Sequence, residues 1–180
     1  MRAGIDSVEH GVYLDDEVIE EMRRRGTFLV PTLVAPAMIA RHGTSAGIPE
    51  YVVTKASAVL DVHRESFRKA VRAGVRIAMG TDAGTPFTRH GANAQELALM
   101  VEGGLSPADT IVAATRSAAE LLDLLDVTGT VELGKAADLL IVDGDPLANI
   151  GILGDRDRLA GILKDGHWVR RARALGEPLP

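Results

Sequence analysis

Three short apolar runs, each followed by a helical pattern, constrain the fold of this chain more than any other feature. The runs are IDSVEHG (5–11), TFLVPTL (27–33) and VRIAM (75–79). Strand, helix, strand, helix, strand, helix is the signature of parallel βαβ units, because parallel neighbours need a crossover long enough to hold a helix.

The punctuation between the runs supports this order. Asp15 and Asp16 offer carboxylate caps for the helix EVIEEMRRR, and Gly26 ends it. Its acids lie early and its arginines late, as the helix dipole prefers. Glu17, Glu20 and Glu21 form a solvated face. Pro31 suits an edge or barrel-like strand. Pro36, Gly43, Gly47 and Pro49 predict a loop. A long helix then follows over 50–73, with Val52, Ala56, Val59, Leu60, His63, Phe67, Ala70 and Val71 near 3.6-residue spacing. NAQELALMVEG (93–103) predicts a helix. Ser106 and Pro107 start another, and SAAELLDLL (117–125) a further one. From Gly129 the texture changes to short strands and turns, with Asp165-Gly166 as a hairpin signal between two apolar stretches.

Composition narrows the partners. The chain has 180 residues, 46% of them apolar, enough for one ordinary domain or slightly more with a sizeable core. Net charge is −5 with both signs interspersed, which argues against nucleic acid or an anionic membrane surface. Aromatics make up only 3%, too few for base-stacking platforms. No apolar run approaches the roughly 20 residues of a membrane span. The N-terminal stretch MRAGIDSVEHG holds no hydrophobic signal region. Cysteine is absent, which removes disulfides and thiolate metal sites and makes the cytoplasm the default expectation.

Candidate chemistry collects where the strands end. His10 closes the first run, and Asp82 follows the third in RIAMGTDAGTP (76–86). The carboxyl ends of parallel strands face one side, where catalytic groups gather. An imidazole nitrogen and a carboxylate oxygen are a natural donor pair for zinc or another divalent metal. Blander readings stay open. A histidine after a strand is often a structural hydrogen-bonder. GTDAG also fits a turn in which Asp82 bonds backbone N–H groups, or a phosphate loop, although it lacks the Lys and Ser/Thr of a P-loop. His90 is a candidate for lining a substrate pocket or for plain surface, and Asn93 for capping the next helix. His63 reads as a packing or solvent-facing residue, His167 as structural, and His42 has no partner visible in sequence. Glu9 should point away from His10, towards packing or an ion pair.

Taken together, AGIDSVEHG, TFLVPTL, AGVRIAMGTDAGTP, HGANAQELALMVEGGLSPADTIVAATRSAAELL, GTVELGKAADLLIVDGDPL and GILKDGHWV resemble the C-terminal half of an amidohydrolase-superfamily enzyme. The nearest branch is imidazolonepropionase-like and Xaa-Pro dipeptidase-like, and the likeness spans residues 3 to about 169. It implies an α/β fold: a partial (β/α)8 TIM barrel, its last three βα units in residues 1–128, followed by a small β-sandwich segment in 129–180. His10 matches the family's strand-six metal-binding histidine. Asp82 matches the strand-eight aspartate that binds metal and serves as general base and then acid. The implied cofactor is a divalent metal, zinc first. The implied substrate is a small-molecule amide or dipeptide.

The departures from the family are equally specific. No His-x-His occurs anywhere, and Lys55, Lys69, Lys135 and Lys164 match no strand-four lysine. The strand-five histidine has no counterpart either. A catalytic zinc takes about three protein ligands and a whole barrel about 250 residues. Three expectations follow: the C-terminal portion of a hydrolase, a non-catalytic α/β module covering its edges by self-association, or one half of a split enzyme needing an N-terminal partner.

Overall fold

In the computed structural model, which describes residues 3–171, a parallel sheet under helices is followed by a separate antiparallel sheet. The end of the 129–180 segment therefore lies outside the described residues. Strand β1 (Ser7–Glu9) pairs in parallel with β2 (Phe28–Val30), Val8 opposite Leu29. The third expected strand is reduced to a single parallel bridge between Leu29 and Ile77. Its pairing is still regular: Leu29 N–H donates to the Arg76 carbonyl at 2.8 Å and Ala78 N–H to the Leu29 carbonyl at 3.0 Å.

Helix α1 (Asp16–Arg25) forms as its ends predict. The Asp15 carboxylate accepts from Val18 N–H at 2.8 Å, and Gly26 closes the helix in the left-handed region, φ 71°. Glu20 and Glu21 pair with Arg23, Arg24 and Arg25 on the exposed face. The expected loop after β2 holds a helix, α2 (Val34–His42), before the long α3 (Glu50–Arg72). Pro36 is tolerated because it sits in the first turn, where a backbone N–H has no intrahelical partner.

Next come α4 (Ala94–Glu102) and α5 (Pro107–Val112), with Ser106 capping α5 by accepting from Asp109 N–H at 3.0 Å. A π-helical turn (Ala113–Ser117) joins α5 to α6 (Ala118–Leu121), so the expected 117–125 helix is shorter than its apolar pattern. The widened turn serves the sheet, since Met79 N–H donates to the Ala113 carbonyl at 3.0 Å.

The core lies between the strands and helices α1, α3 and α4. Met22, Leu29, Ala70 and Met100 are fully enclosed around Phe67. After Gly129 the expected strand at 129–133 is absent, and Val131 and Leu133 are exposed. Strands β3 (Leu139–Val142), β4 (Leu159–Lys164) and β5 (His167–Arg171) form an antiparallel sheet in the order β3-β4-β5. The Asp165-Gly166 turn joins β4 to β5, both residues at positive φ (50° and 76°), as a two-residue hairpin requires.

One buried charge supports the layer of helices. Glu96 of α4 is fully enclosed, and its two oxygens accept from Leu33 N–H at 2.8 Å and Val34 N–H at 2.7 Å. Helix α2 has no acid in its first turn and no side-chain cap of its own, so Glu96 caps it from 62 and 63 residues further along the chain. Burial pushes this carboxyl up from its ordinary 4.5 to about 7, against the pull of the two amide donors.

Two outcomes are expected. Strand β1 has no second neighbour among the described residues, and Val131, Leu133, Leu140 and Val169 are all more than half exposed. The chain on its own should therefore self-associate in sedimentation, and a monomer with one sharp unfolding transition would count against that.

The second concerns pH. A carboxyl whose folded value is raised contributes stability that is complete below about 4.5 and is lost as the pH rises through about 7. Buried His63, whose value burial lowers, acts in the opposite sense below its ordinary 6.5. The difference between wild type and Glu96→Gln isolates the carboxyl. Glu96→Gln should be less stable by about 1–3 kcal/mol near pH 5, with the gap narrowing towards pH 7 in denaturant titrations.

Candidate active site

The three strand ends share a backbone feature that sequence does not advertise. His10, Thr32 and Asp82 follow the first, second and third strands, and all three adopt positive φ: 65°, 51° and 53°. Non-glycine residues, β-branched threonine above all, pay about 1–3 kcal/mol for this conformation, and it concentrates at active sites.

His10 is held at both ends. Its N–H donates to the Val30 carbonyl at 2.8 Å, and its ring Nδ1 lies 2.7 Å from Thr32 Oγ1. The ring is otherwise exposed, and Nε2 is the nitrogen left to bind a ligand. From α3, buried His63 presents Nε2 to the His10 carbonyl at 2.8 Å. Burial holds the His63 imidazole below the usual range, and the carbonyls of His10 and Pro31 pull the other way. Ser66, one turn along, donates to the Gly11 carbonyl at 2.5 Å and accepts from Leu14 N–H at 3.1 Å. One face of α3 thus fixes the whole loop after β1. His63 is a packing residue, as its helical position suggests.

Asp82 is exposed. The turn after it is closed by its main-chain carbonyl, which accepts from Thr85 N–H at 3.3 Å and Thr85 Oγ1 at 2.9 Å. The carboxylate takes no part in that turn, which removes the plain turn reading. Gly80 has a packing reason: a Cβ there would collide with Val30 Cγ1 of β2. His90 is exposed in the loop after Asp82. Asn93 occupies the N-cap position of α4, but its side chain makes no cap bond, contrary to the expected role. Glu9 is exposed and accepts from Ser7 Oγ at 2.7 Å, where packing or an ion pair was expected. His42 gains a partner from that same loop, its ring 6.0 Å from that of Phe87. His167 lies exposed at the start of β5.

His10 and Asp82 therefore flank the central strand, one on each side, with Thr32 between them. They offer one nitrogen and one carboxylate, which is the right donor chemistry for a divalent metal but short of a complete set. Among the described residues no three His, Asp or Glu side chains gather to hold a metal. No described helix is long and apolar enough to cross a membrane.

Sequence reasoning missed Thr32 and Glu96. Glu96 had a signal, because it lies beside Leu97 and one turn before Met100 on the buried stripe of its helix. Thr32 had none, since its contact and its φ depend on tertiary packing.

The chain is similar to known proteins over most of its length. The chain is 32% identical to ochratoxinase from Aspergillus niger over 169 residues, 92% of the chain and 34% of that protein. It is 31% identical to imidazolonepropionase from Rhizobium rhizogenes over 141 residues, 77% of the chain and 29% of that protein. Among solved structures, a Xaa-Pro dipeptidase with methionine bound in its active site superposes with TM-score 0.84 at 39% identity. That match covers 94% of this chain and 41% of the dipeptidase. The chain thus spans between a third and two fifths of the length of the first of these proteins in each comparison. The model of the Amidohydrolase family matches residues 1–169, and the chain belongs to that family.

Proposed function

We propose that these residues form the C-terminal portion of a metal-dependent hydrolase of amide C–N bonds. The observation that carries this reading is the pair of strand ends: His10 and Asp82, both in the left-handed region, flank a central strand whose own end supports the histidine ring. Residues 1–128 are read as the last three units of a (β/α)8 barrel and 129–180 as part of a small β domain. Family membership and relatives that include a dipeptidase and an imidazolonepropionase support the reaction class.

His10 Nε2 and the Asp82 carboxylate would hold a divalent metal, zinc by donor chemistry, together with ligands supplied from outside the described residues. When bound, such a metal lowers the pKa of coordinated water towards about 7 and polarises the scissile carbonyl. Asp82 then has two tasks. Its free carboxylate oxygen takes the proton of the attacking water. The same oxygen returns that proton to the leaving amide nitrogen as the C–N bond breaks. Thr32 keeps His10 Nδ1 engaged, so the ring cannot turn during this exchange. His90, exposed in the loop after Asp82, would line the substrate side, where a small amide, dipeptide or cyclic amide would sit.

The incomplete ligand set favours a second arrangement as well, in which an N-terminal partner chain supplies the remaining ligands and covers β1.

Two measurements test this. In a complete barrel that contains this segment, Asp82→Asn should lower kcat about 100-fold or more, and turnover near wild type would overturn the assigned role. The 180-residue chain alone should bind zinc weakly and below one equivalent by metal analysis. Tight stoichiometric zinc there would overturn the reading that the ligand set is incomplete in this chain.

A further inference from the structure

We propose that Glu96 is a positioning residue that sets the orientation and tautomer of His10 by clamping the two amides that follow Thr32. The inference rests on the reading of His10 as a metal ligand and deepens it. The path is short and continuous. Glu96 holds Leu33 N–H at 2.8 Å and Val34 N–H at 2.7 Å, one with each oxygen. These are the first and second peptide groups after Thr32. Thr32 is itself buried and left-handed, and its hydroxyl meets His10 Nδ1 at 2.7 Å.

A β-branched residue keeps a left-handed backbone only where its surroundings over-determine it. Upstream, the β2 ladder fixes the chain as far as Val30. Downstream, α2 brings no cap of its own, so the two bonds to Glu96 determine where the helix starts. Shifting that start would swing the Thr32 hydroxyl away from the imidazole. Where Nε2 is the nitrogen that takes a ligand, Nδ1 carries the proton and the Thr32 hydroxyl 2.7 Å away is its acceptor. A glutamate is suited to this task because two parallel amide donors need two acceptor atoms. Glutamine offers one acceptor and sets an N–H2 against the other donor.

The test needs neither metal nor substrate. The full chain is labelled with 15N-histidine and read by solid-state NMR, which tolerates self-association, at a pH above the Glu96 value of about 7. His10 is identified among the five histidines by the signals lost in His10→Gln. Wild type should show one protonated and one bare ring nitrogen for His10. Glu96→Gln and Thr32→Val should each bring in the second tautomer, with the His63 and His167 signals retained as evidence of folding. A single unchanged His10 tautomer in either folded variant overturns the proposal. Should Glu96→Gln lose the His63 and His167 signals, Glu96→Asp, which keeps the charge but shortens its reach, takes its place under the same criteria. A negative result here leaves the hydrolase reading intact, and a chain that binds no zinc leaves this result intact.

Discussion

Strand β2 is the element on which the rest depends. Its three residues are all buried, and Leu29 in the middle is bonded through its backbone to the third strand while pairing with Val8 of β1. The side-chain period of a strand is two, so a slip of one residue would exchange Leu29, packed with Phe67, for its neighbours Phe28 and Val30, packed with Ala78 on the other face. The same slip would carry Thr32 away from His10. Packing of the core and geometry of the candidate site are therefore fixed by one register.

The helices do more than cover the sheet. Buried polar groups are costly unless they are bonded, and three buried side chains of α3 and α4 bond to the loops that follow strands. His63 and Ser66 of α3 hold the carbonyls of His10 and Gly11, and Glu96 of α4 holds the amides after Thr32. Each of these side chains sits on the inward stripe of its helix beside apolar residues such as Phe67 and Met100. A stripe that only filled the core would not need them. Their cost is offset by the bonds they make, and those bonds define the chain path just where His10 and its partner Thr32 emerge.

Much of this was legible in the sequence, and the exceptions share one cause. Local signals did well. Asp15 and Gly26 bracket α1, Ser106 starts α5, Asp165-Gly166 turns the hairpin, and the apolar spacing from Val52 to Val71 marks α3. His10 and Asp82 fell at strand ends as expected. What failed depends on distant partners. Helix α2 reads as a loop because its cap is Glu96, far along the chain. The strand at Ile77 is one bridge to Leu29, and Met79 N–H turns instead to the Ala113 carbonyl of a distant helical turn. Asn93 stands at a helix start without capping it, because residue type gives a preference and not a bond.

The way the site is built bears on how it could be completed. Among the described residues, the bonds that hold His10 come from the Val30 carbonyl, the Thr32 hydroxyl and the His63 ring, with the Glu96 carboxylate on the two peptide groups beyond Thr32. Asp82 likewise owes its turn to Thr85, three residues on. Neither residue relies on a third metal-ligating side chain for its position. The left-handed backbone at His10 and Thr32 is accompanied by bonds from the protein itself: His10 N–H to the Val30 carbonyl and its ring to the Thr32 hydroxyl. Under the proposed reading, a docking segment or partner chain would meet two candidate ligands positioned by these bonds at the strand ends. Its binding energy need not be spent on ordering them, which is the general advantage of a preorganised site.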